Sequence, residues 1–420
     1  VLRVPVFYGW RVVAVCFVAA VFTWGFGVYG ASVYLSAITK QHGWSVSLVS
    51  AAVTIFYLIS ALSPTLTASL IARFGARPVF VGGAVALGLG TMAVGQVATP
   101  WQLPAAFILL GAGYSSLSLT GISTTLAPWF ERHQGRSVAI ALTGASFGAM
   151  LVVPALSSAI AQFGFSAATL AGGVLTVAVL APLAAIVLRY RRPQELGLAP
   201  DGTPVAATAL HDTRRSAAPG WNRRSAMRTV AFWSTTVGFA LGLLVQVGFF
   251  THQVMLAKPF LGVSGAGWLV SATGFANMLG RLVLARIVDR LPLRPYTAVI
   301  LATQAVMLGL IALYSTVSVL IGASLIYGFC LGQITTLSPI MVRREFGAAA
   351  FGVIYGAAAT LIQLTSAFGP GLYGVLHDAF GGYPPVLGLA GGVELVAMAV
   401  ILLGGPIGRR AGKPVDLSHR

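Results

Sequence analysis

Apolar runs long enough to cross a bilayer, which takes about 20 residues, alternate with short polar turns along almost the whole chain. Six occupy residues 11–39, 45–72, 79–98, 103–130, 137–163 and 168–188. Six more occupy 231–256, 267–289, 296–314, 319–342, 348–375 and 385–403. Polar residues gather in the turns between them: KQHGW at 40–44, RFGARP at 73–78 and ERHQGR at 131–136. In hydrocarbon every backbone polar group must be satisfied within the segment, so such runs form helices. The pattern predicts an all-α membrane protein with twelve transmembrane helices. One long polar stretch, 189–228, interrupts it with the basic clusters RYRR and NRRSAMR. The division expected is a six-helix half at 1–188, a linker at 189–230 holding a short surface helix, a second six-helix half at 231–405, and a tail at 406–420.

The two halves resemble each other. Residues 132–173 and 344–392 each run through Arg-x-x-Gly, a Gly-Ala step, a later Pro, a Phe-Gly turn and Leu-Ala-Gly-Gly. A six-plus-six repeat with a binding site between the halves is a transporter architecture.

Composition agrees and removes other classes. Of 420 residues, 57% are hydrophobic and 8% charged, where soluble domains carry about 25% charged residues. The net charge of +17 is spread over turns on one side of the membrane, so it marks that side and not a nucleic-acid surface. With both termini and the linker in the cytoplasm, only Lys40 and Lys258 fall outside and Arg281 within the membrane; the rest of the 26 Lys and Arg are cytoplasmic. The inner (plasma) membrane is the expected location. Cys16 and Cys330 both sit in apolar runs, so neither a disulfide framework nor a metal cluster is implied. The first apolar run is too long for a signal peptide and reads as a retained helix.

Arg281 is the residue that demands an explanation. It lies in GWLVSATGFANMLGRLVLARIVD (267–289), about 12 Å from the Asp289 end. That is deeper than an arginine easily snorkels, and a guanidinium there costs about 3 kcal/mol on insertion scales. It should face protein or water, not lipid. Asn277 lies one turn earlier on the same face. A deep cation with a polar neighbour suggests an anion site, with Arg281 as a bidentate anchor for a carboxylate. Gln363, Tyr114 and Tyr29 lie near mid-depth on other helices and are further pocket candidates; Gln246, Gln333 and Tyr355 are weaker ones. Glu394 is the other ionisable group deep in a run, and an isolated buried glutamate can simply stay neutral. His252 and the His377-Asp378 pair read as surface or gate groups. Gly144 with Gly148, and Gly352 with Gly356, read as close helix contacts.

Several motifs converge on a known family. ASLIARFGAR at 68–77 resembles the loop signature Gly-x-x-x-Asp-Arg-x-Gly-x-Arg of the major facilitator superfamily. Arg73, Gly75 and Arg77 match, while Ala68 and Ala72 replace the Gly and the Asp. The second copy, 285–294, retains Asp289, Arg290 and Arg294. An acid at that place can balance the positive N-terminus of a neighbouring helix, here near Ala348. Arg73, Arg77, Asp289 and Arg290 are therefore the expected gating residues. Within the superfamily the chain resembles the monocarboxylate transporters. Gly9-Trp10 is similar to that branch's opening motif without its acid. Trp129-Phe130, the turn 132–136 and Gly144-x-x-x-Gly148 resemble its fifth-helix motif, and Asn277-x-x-x-Arg281 overlays its Asp-x-x-x-Arg.

The resemblance implies the major facilitator fold and a secondary carrier of small monocarboxylates, acids like lactate or pyruvate, acting as a monomer in the bilayer. No cofactor is implied beyond a coupled proton. Asn277 cannot titrate, so such a proton must use another group or travel with the substrate. The alternative is an exporter of drugs or other amphipathic molecules on the same fold. Neither paired catalytic carboxylates nor an activated nucleophile appears within the runs, so an enzyme is not expected.

Overall fold

A computed structural model describes residues 7–202, 221–314, 316–347 and 350–411, the side chains of 65 and 405–411 apart. Its spans are α1 (Tyr8–His42), α2 (Val46–Leu62 bent into Leu66–Phe74), α3 (Ala76–Gly95), α4 (Gln102–Leu126), α5 (Gln134–Phe163) and α6 (Phe165–Val187). A continuous helical run of 61 residues, Val230–Arg290, follows. At 1.5 Å per residue it is about 90 Å long, far more than one crossing of a core about 30 Å thick. Its backbone breaks at Gly262, where φ is 69°, a conformation that glycine adopts without steric penalty. The run is therefore two spans, α7 (230–261) and α8 (263–290). Then come α9 (Leu293–Leu313), α10 (Val317–Phe346), α11 (Phe351–Phe380) and α12 (Tyr383–Gly404). Nine single-length runs, one bent pair and one double-length run that holds two spans thus make the twelve expected spans among the described residues. The last helix continues to Ala411, into the stretch assigned to the tail. The described parts of the linker, up to the start of α7, hold only short helical turns, Pro193–Leu196, Pro200–Gly202 and Arg223–Ala226.

The chain divides into two compact units. One holds Val1–Arg214 together with Phe250–Gly274; the other holds Arg215–Phe249 and Phe275–Arg420.

In the first unit α3 packs on α6 and α4, and α1 on α5. Glycines set these approaches. A Cβ at Gly88 would lie 2.7 Å from the Gly173 carbonyl oxygen, and one at Gly144 2.2 Å from that of Phe17. A Cβ at Gly148 would lie 2.5 Å from the Val21 carbonyl oxygen, so this glycine pair is the close contact expected. Gly352 and Gly356 are not: a Cβ at either meets nothing within 4 Å. Small residues at a four-residue spacing permit close approach but do not require it. Two π-helical turns, Thr23–Tyr29 in α1 and Gly148–Val152 in α5, face each other where Gly25 meets Val152. The segment Phe250–Gly274 is hydrogen-bonded into this unit. The Val254 amide donates to Ser32 Oγ at 3.0 Å, and Ser271 Oγ donates to the Met150 carbonyl at 3.1 Å. His252 is buried, with Nε2 3.3 Å from Ser50 Oγ. It is an interior contact and not a surface group.

The basic end of this unit is tied by the head of the linker. The Asp201 carboxylate accepts from the amides of Glu131, Arg132 and His133 and contacts His133 Nδ1 at 3.0 Å. Its own amide donates to the Trp129 carbonyl. Arg191 Nη2 donates to the Phe74 carbonyl at 2.7 Å, at the C-terminus of α2. Burial raises the Asp201 carboxyl's pKa, but these donors outweigh it and hold it below the usual carboxylate range. A depressed folded pKa stabilises the fold above the unfolded value near 3.8 and loses that contribution as pH falls through the folded value. Acidification below that range should therefore raise amide exchange at 131–133 in the wild type. Asp201→Asn should flatten this acid limb; an unchanged pH profile of exchange would contradict the assignment.

In the second unit α9 packs on α12 and α10, repeating the α3 pairings of the first half. Its basic end is tied by Arg294, whose guanidinium donates to Glu345 Oε1 at 2.7 Å and Oε2 at 2.9 Å. It also reaches Ser234 Oγ, Thr235 Oγ1 and the carbonyls of Ala231 and Ile401. One side chain on α9 thereby joins α7, α10 and α12.

Candidate functional site

Arg281 and Asn277 share one face of α8, about 6 Å apart along the axis. Asn277 is only 2% exposed and Arg281 is half-buried. Two glycines press this face onto α10. A Cβ at Gly280 would stand 2.0 Å from the Phe329 carbonyl oxygen, and one at Gly332 2.0 Å from that of Asn277. Only hydrogen atoms fit there, so the rotation of α8, and the direction in which residues 277 and 281 project, is set by backbone contact. Asn277 Oδ1 is buried and has no hydrogen-bond partner among the described residues. A buried acceptor in that state costs roughly 1–3 kcal/mol, and a hydroxyl or protonated carboxyl would satisfy it. Gly332→Ala should force the two helices apart at a cost of about 1–3 kcal/mol. It should lower the melting temperature and weaken ligand affinity together; loss of neither would exclude the contact.

The first unit brings Tyr29 and Tyr114 into one aromatic wall. Tyr114 lies edge-on to Trp24 at 5.5 Å and to Phe56 at 5.2 Å, and Phe56 to Tyr57 at 5.0 Å. Gly27 leaves room for the Tyr114 ring, and Tyr29 lies edge-on to Phe250 at 5.8 Å. Trp24 and Tyr29 both sit on the π-helical turn of α1, a feature often found at functional sites. Tyr57 belongs to the wall as well, its hydroxyl bonded to the Thr251 side chain. Sequence reasoning missed it because one tyrosine in an apolar run carries no distinguishing pattern.

Gln363 is exposed on α11. The weaker candidates serve packing. Gln246 Nε2 donates to Gln304 Oε1 at 3.0 Å, between α7 and α9. Gln333 accepts from the Tyr296 hydroxyl, and Tyr355 stacks on Phe351 at 5.3 Å. Glu394 is fully buried, with Oε1 3.5 Å from the Tyr327 hydroxyl. His377 pairs with Asp378 at 3.1 Å and lies against the Tyr383 ring.

The expected gating residues lie at the basic ends. Arg73 is exposed and stands over the Phe74 ring, and Arg77 and Arg290 are exposed. The Asp289 side chain is 96% exposed and meets Arg344 at 3.3 Å, an exposed pair of the kind that contributes about 0–1 kcal/mol. Ala348, where Asp289 was expected to cap a helix, lies outside the described residues. The buried tie is Arg294 with Glu345, at 12% and 23% side-chain exposure. Its signal was present as the last arginine of the second loop motif, but its acid partner lies 51 residues away in sequence.

Comparison with known proteins agrees with this layout. The sequence profile of the Major Facilitator Superfamily matches residues 15–370 and 252–417. Human monocarboxylate transporter 11 is 28% identical over 342 residues, 78% of this chain and 68% of that protein. Rat monocarboxylate transporter 3 is 24% identical over 397 residues, 93% of this chain and 78% of that one. The aspyridones efflux protein apdF of Emericella nidulans is 22% identical over 389 residues, 90% of this chain and 72% of that protein. Among solved structures, the nucleoside transporter NupG superposes with a TM-score of 0.73 at 12% identity, covering 95% of this chain and all of that one. With twelve apolar spans, a repeated half and a matching profile over most of its length, the chain belongs to the Major Facilitator Superfamily and is a multi-pass membrane protein.

Proposed function

We propose that the protein is a secondary carrier of small monocarboxylates that works by alternating access. The observation that carries this reading is the pair Arg281 and Asn277, on one face of an apolar span whose rotation is set by backbone contact with α10. A guanidinium offers parallel donors that match a carboxylate. The neighbouring amide adds an acceptor for the hydroxyl of a hydroxy acid or of a protonated carboxyl. The similarity to proteins named monocarboxylate transporters supports the same class. Because position 277 does not titrate, the proton is taken to travel with the acid or through another group. The distribution of Lys and Arg supports the inner membrane with both termini in the cytoplasm.

A second reading, export of amphipathic molecules, is supported by the similarity to an efflux protein and by the same aromatic wall. Uptake of labelled short-chain acids into proteoliposomes, with and without a pH gradient, separates the two when paired with a thermal-shift screen of acids against hydrophobic cations. Saturable acid uptake and stabilisation by acids are expected. Stabilisation by cations alone would favour export and reject the carboxylate carrier.

A further inference from the structure

The two halves tie their basic ends by different means. In the second half the last arginine of the loop motif, Arg294, is the tie, and it works from inside the repeat. Its counterpart in the first half, Arg77, is exposed, and the acid expected four residues after Ala68 is replaced by Ala72. Neither position can do the same work there. What stands at the basic end of the first half instead is the linker.

Asp201 sits immediately beside the N-terminus of α5, whose first helical residue is Gln134. The N-terminal turn of a helix leaves amides without intrahelical partners and carries partial positive charge. The Asp201 carboxylate takes the three amides leading into that turn, at 3.1, 2.8 and 3.3 Å, and its side chain is only 9% exposed. This anchoring of the turn is delivered from outside the six-helix repeat. Asp201 is also the one non-glycine residue with positive φ among the described residues, at 63°. Asp tolerates that left-handed conformation better than most residues, so the backbone is bent to aim the carboxylate. Other contacts draw further elements to the same point. Arg191 holds the end of α2 through the Phe74 carbonyl. The Tyr8 hydroxyl at the start of α1 donates to the Val187 carbonyl at the end of α6. Phe7 packs on Trp129 and Phe130, and a Cβ at Gly202 would touch its ring. The basic ends of α1, α2 and α6 and the α4–α5 turn thus meet at the linker head.

We infer that the linker head, through Asp201 and Arg191, supplies the first half with a tie of the kind that Arg294 and Glu345 supply in the second, and that Asp201 is a positioning residue that keeps the first half rigid during transport. The consequence is a division of labour. The second half carries its own tie, whereas the first half depends on a segment outside its repeat, so the linker is part of the transport machinery and not a passive connection.

The test uses Asp201→Gly, which keeps the left-handed backbone free of strain and removes only the carboxylate. Asp201→Asn restores one acceptor without charge. Full-length protein in lipid nanodiscs is followed by hydrogen exchange, and proteoliposomes by substrate flux. In Asp201→Gly, exchange of the amides at 131–137 should rise by about 10- to 100-fold, as expected for local opening. Peptides around Arg294 and Glu345 should be unchanged. The maximal flux should fall by at least about threefold with KM unaltered, because the ligand contacts are untouched and only the moving body is softened. Asp201→Asn should fall between Gly and wild type in both readouts. Arg191→Ala should loosen the end of α2 in the same manner. Unaltered exchange at 131–137 in Asp201→Gly would overturn the inference. So would raised exchange with wild-type flux, since the contact would then be structural only. The exchange readout needs no substrate, so its failure is distinguishable from failure of the carboxylate reading.

Discussion

Arg281→Ala is expected to abolish saturable uptake of short-chain acids while the protein still inserts and folds. A charge-assisted bidentate contact between guanidinium and carboxylate, removed on one side only, costs about 2–5 kcal/mol. That is roughly 30- to 4,000-fold in affinity. Arg281→Lys should fare little better. An ammonium keeps the charge but lacks the planar fork, and its three donors cannot meet both carboxylate oxygens in parallel. The backbone contacts of Gly280 with Phe329 and of Gly332 with Asn277 place residue 281 by helix rotation, so neither substitution can be rescued by a small turn of α8. Binding measured by thermal shift, alongside flux, checks this. Undiminished affinity for acids in both variants would remove Arg281 from the site.

Arg294→Met is expected to have the largest effect on stability of any single change at the basic end of the second half. It strips Glu345 of its counter-ion in a mostly buried setting and leaves the carbonyls of Ala231 and Ile401 without this donor. Removing one partner of such a pair costs roughly 3 kcal/mol, the low end for buried ion pairs because some solvent reaches the carboxylate. The melting temperature should fall by roughly 3–4 °C at that cost. Adding Glu345→Gln should recover part of the loss, since the remaining group is then neutral and can still hydrogen-bond. A single variant that melts within about 1 °C of wild type would show that the tie contributes little to stability.

The places where sequence and structure part follow one physical rule. Helix positions and the deep arginine were legible because the bilayer imposes length and polarity on each segment by itself. The π-helical turns of α1 and α5 were not, because they arise where Gly25 and Val152 meet across two spans. The same holds for Gly352 and Gly356, whose spacing matches that of Gly144 and Gly148 but whose outer surfaces meet no neighbour. Tyr29 and Tyr114 were chosen for depth alone; Tyr57 joined them only through packing on Phe56. Asp201 stood in a polar basic stretch where nothing local distinguishes a carboxylate that anchors a turn from a solvated one.

The sequence by itself determined the twelve spans, the repeat and the family. It also determined the presence of one arginine with an amide a turn away, because transfer of charge and backbone from water to hydrocarbon is settled residue by residue. Tertiary structure alone decided which backbone contacts set the rotation of α8, which arginine of a repeated motif is buried against an acid, and that a linker carboxylate holds the turn before α5. Those outcomes depend on distances between segments far apart in the chain, and no pattern along a single segment encodes them.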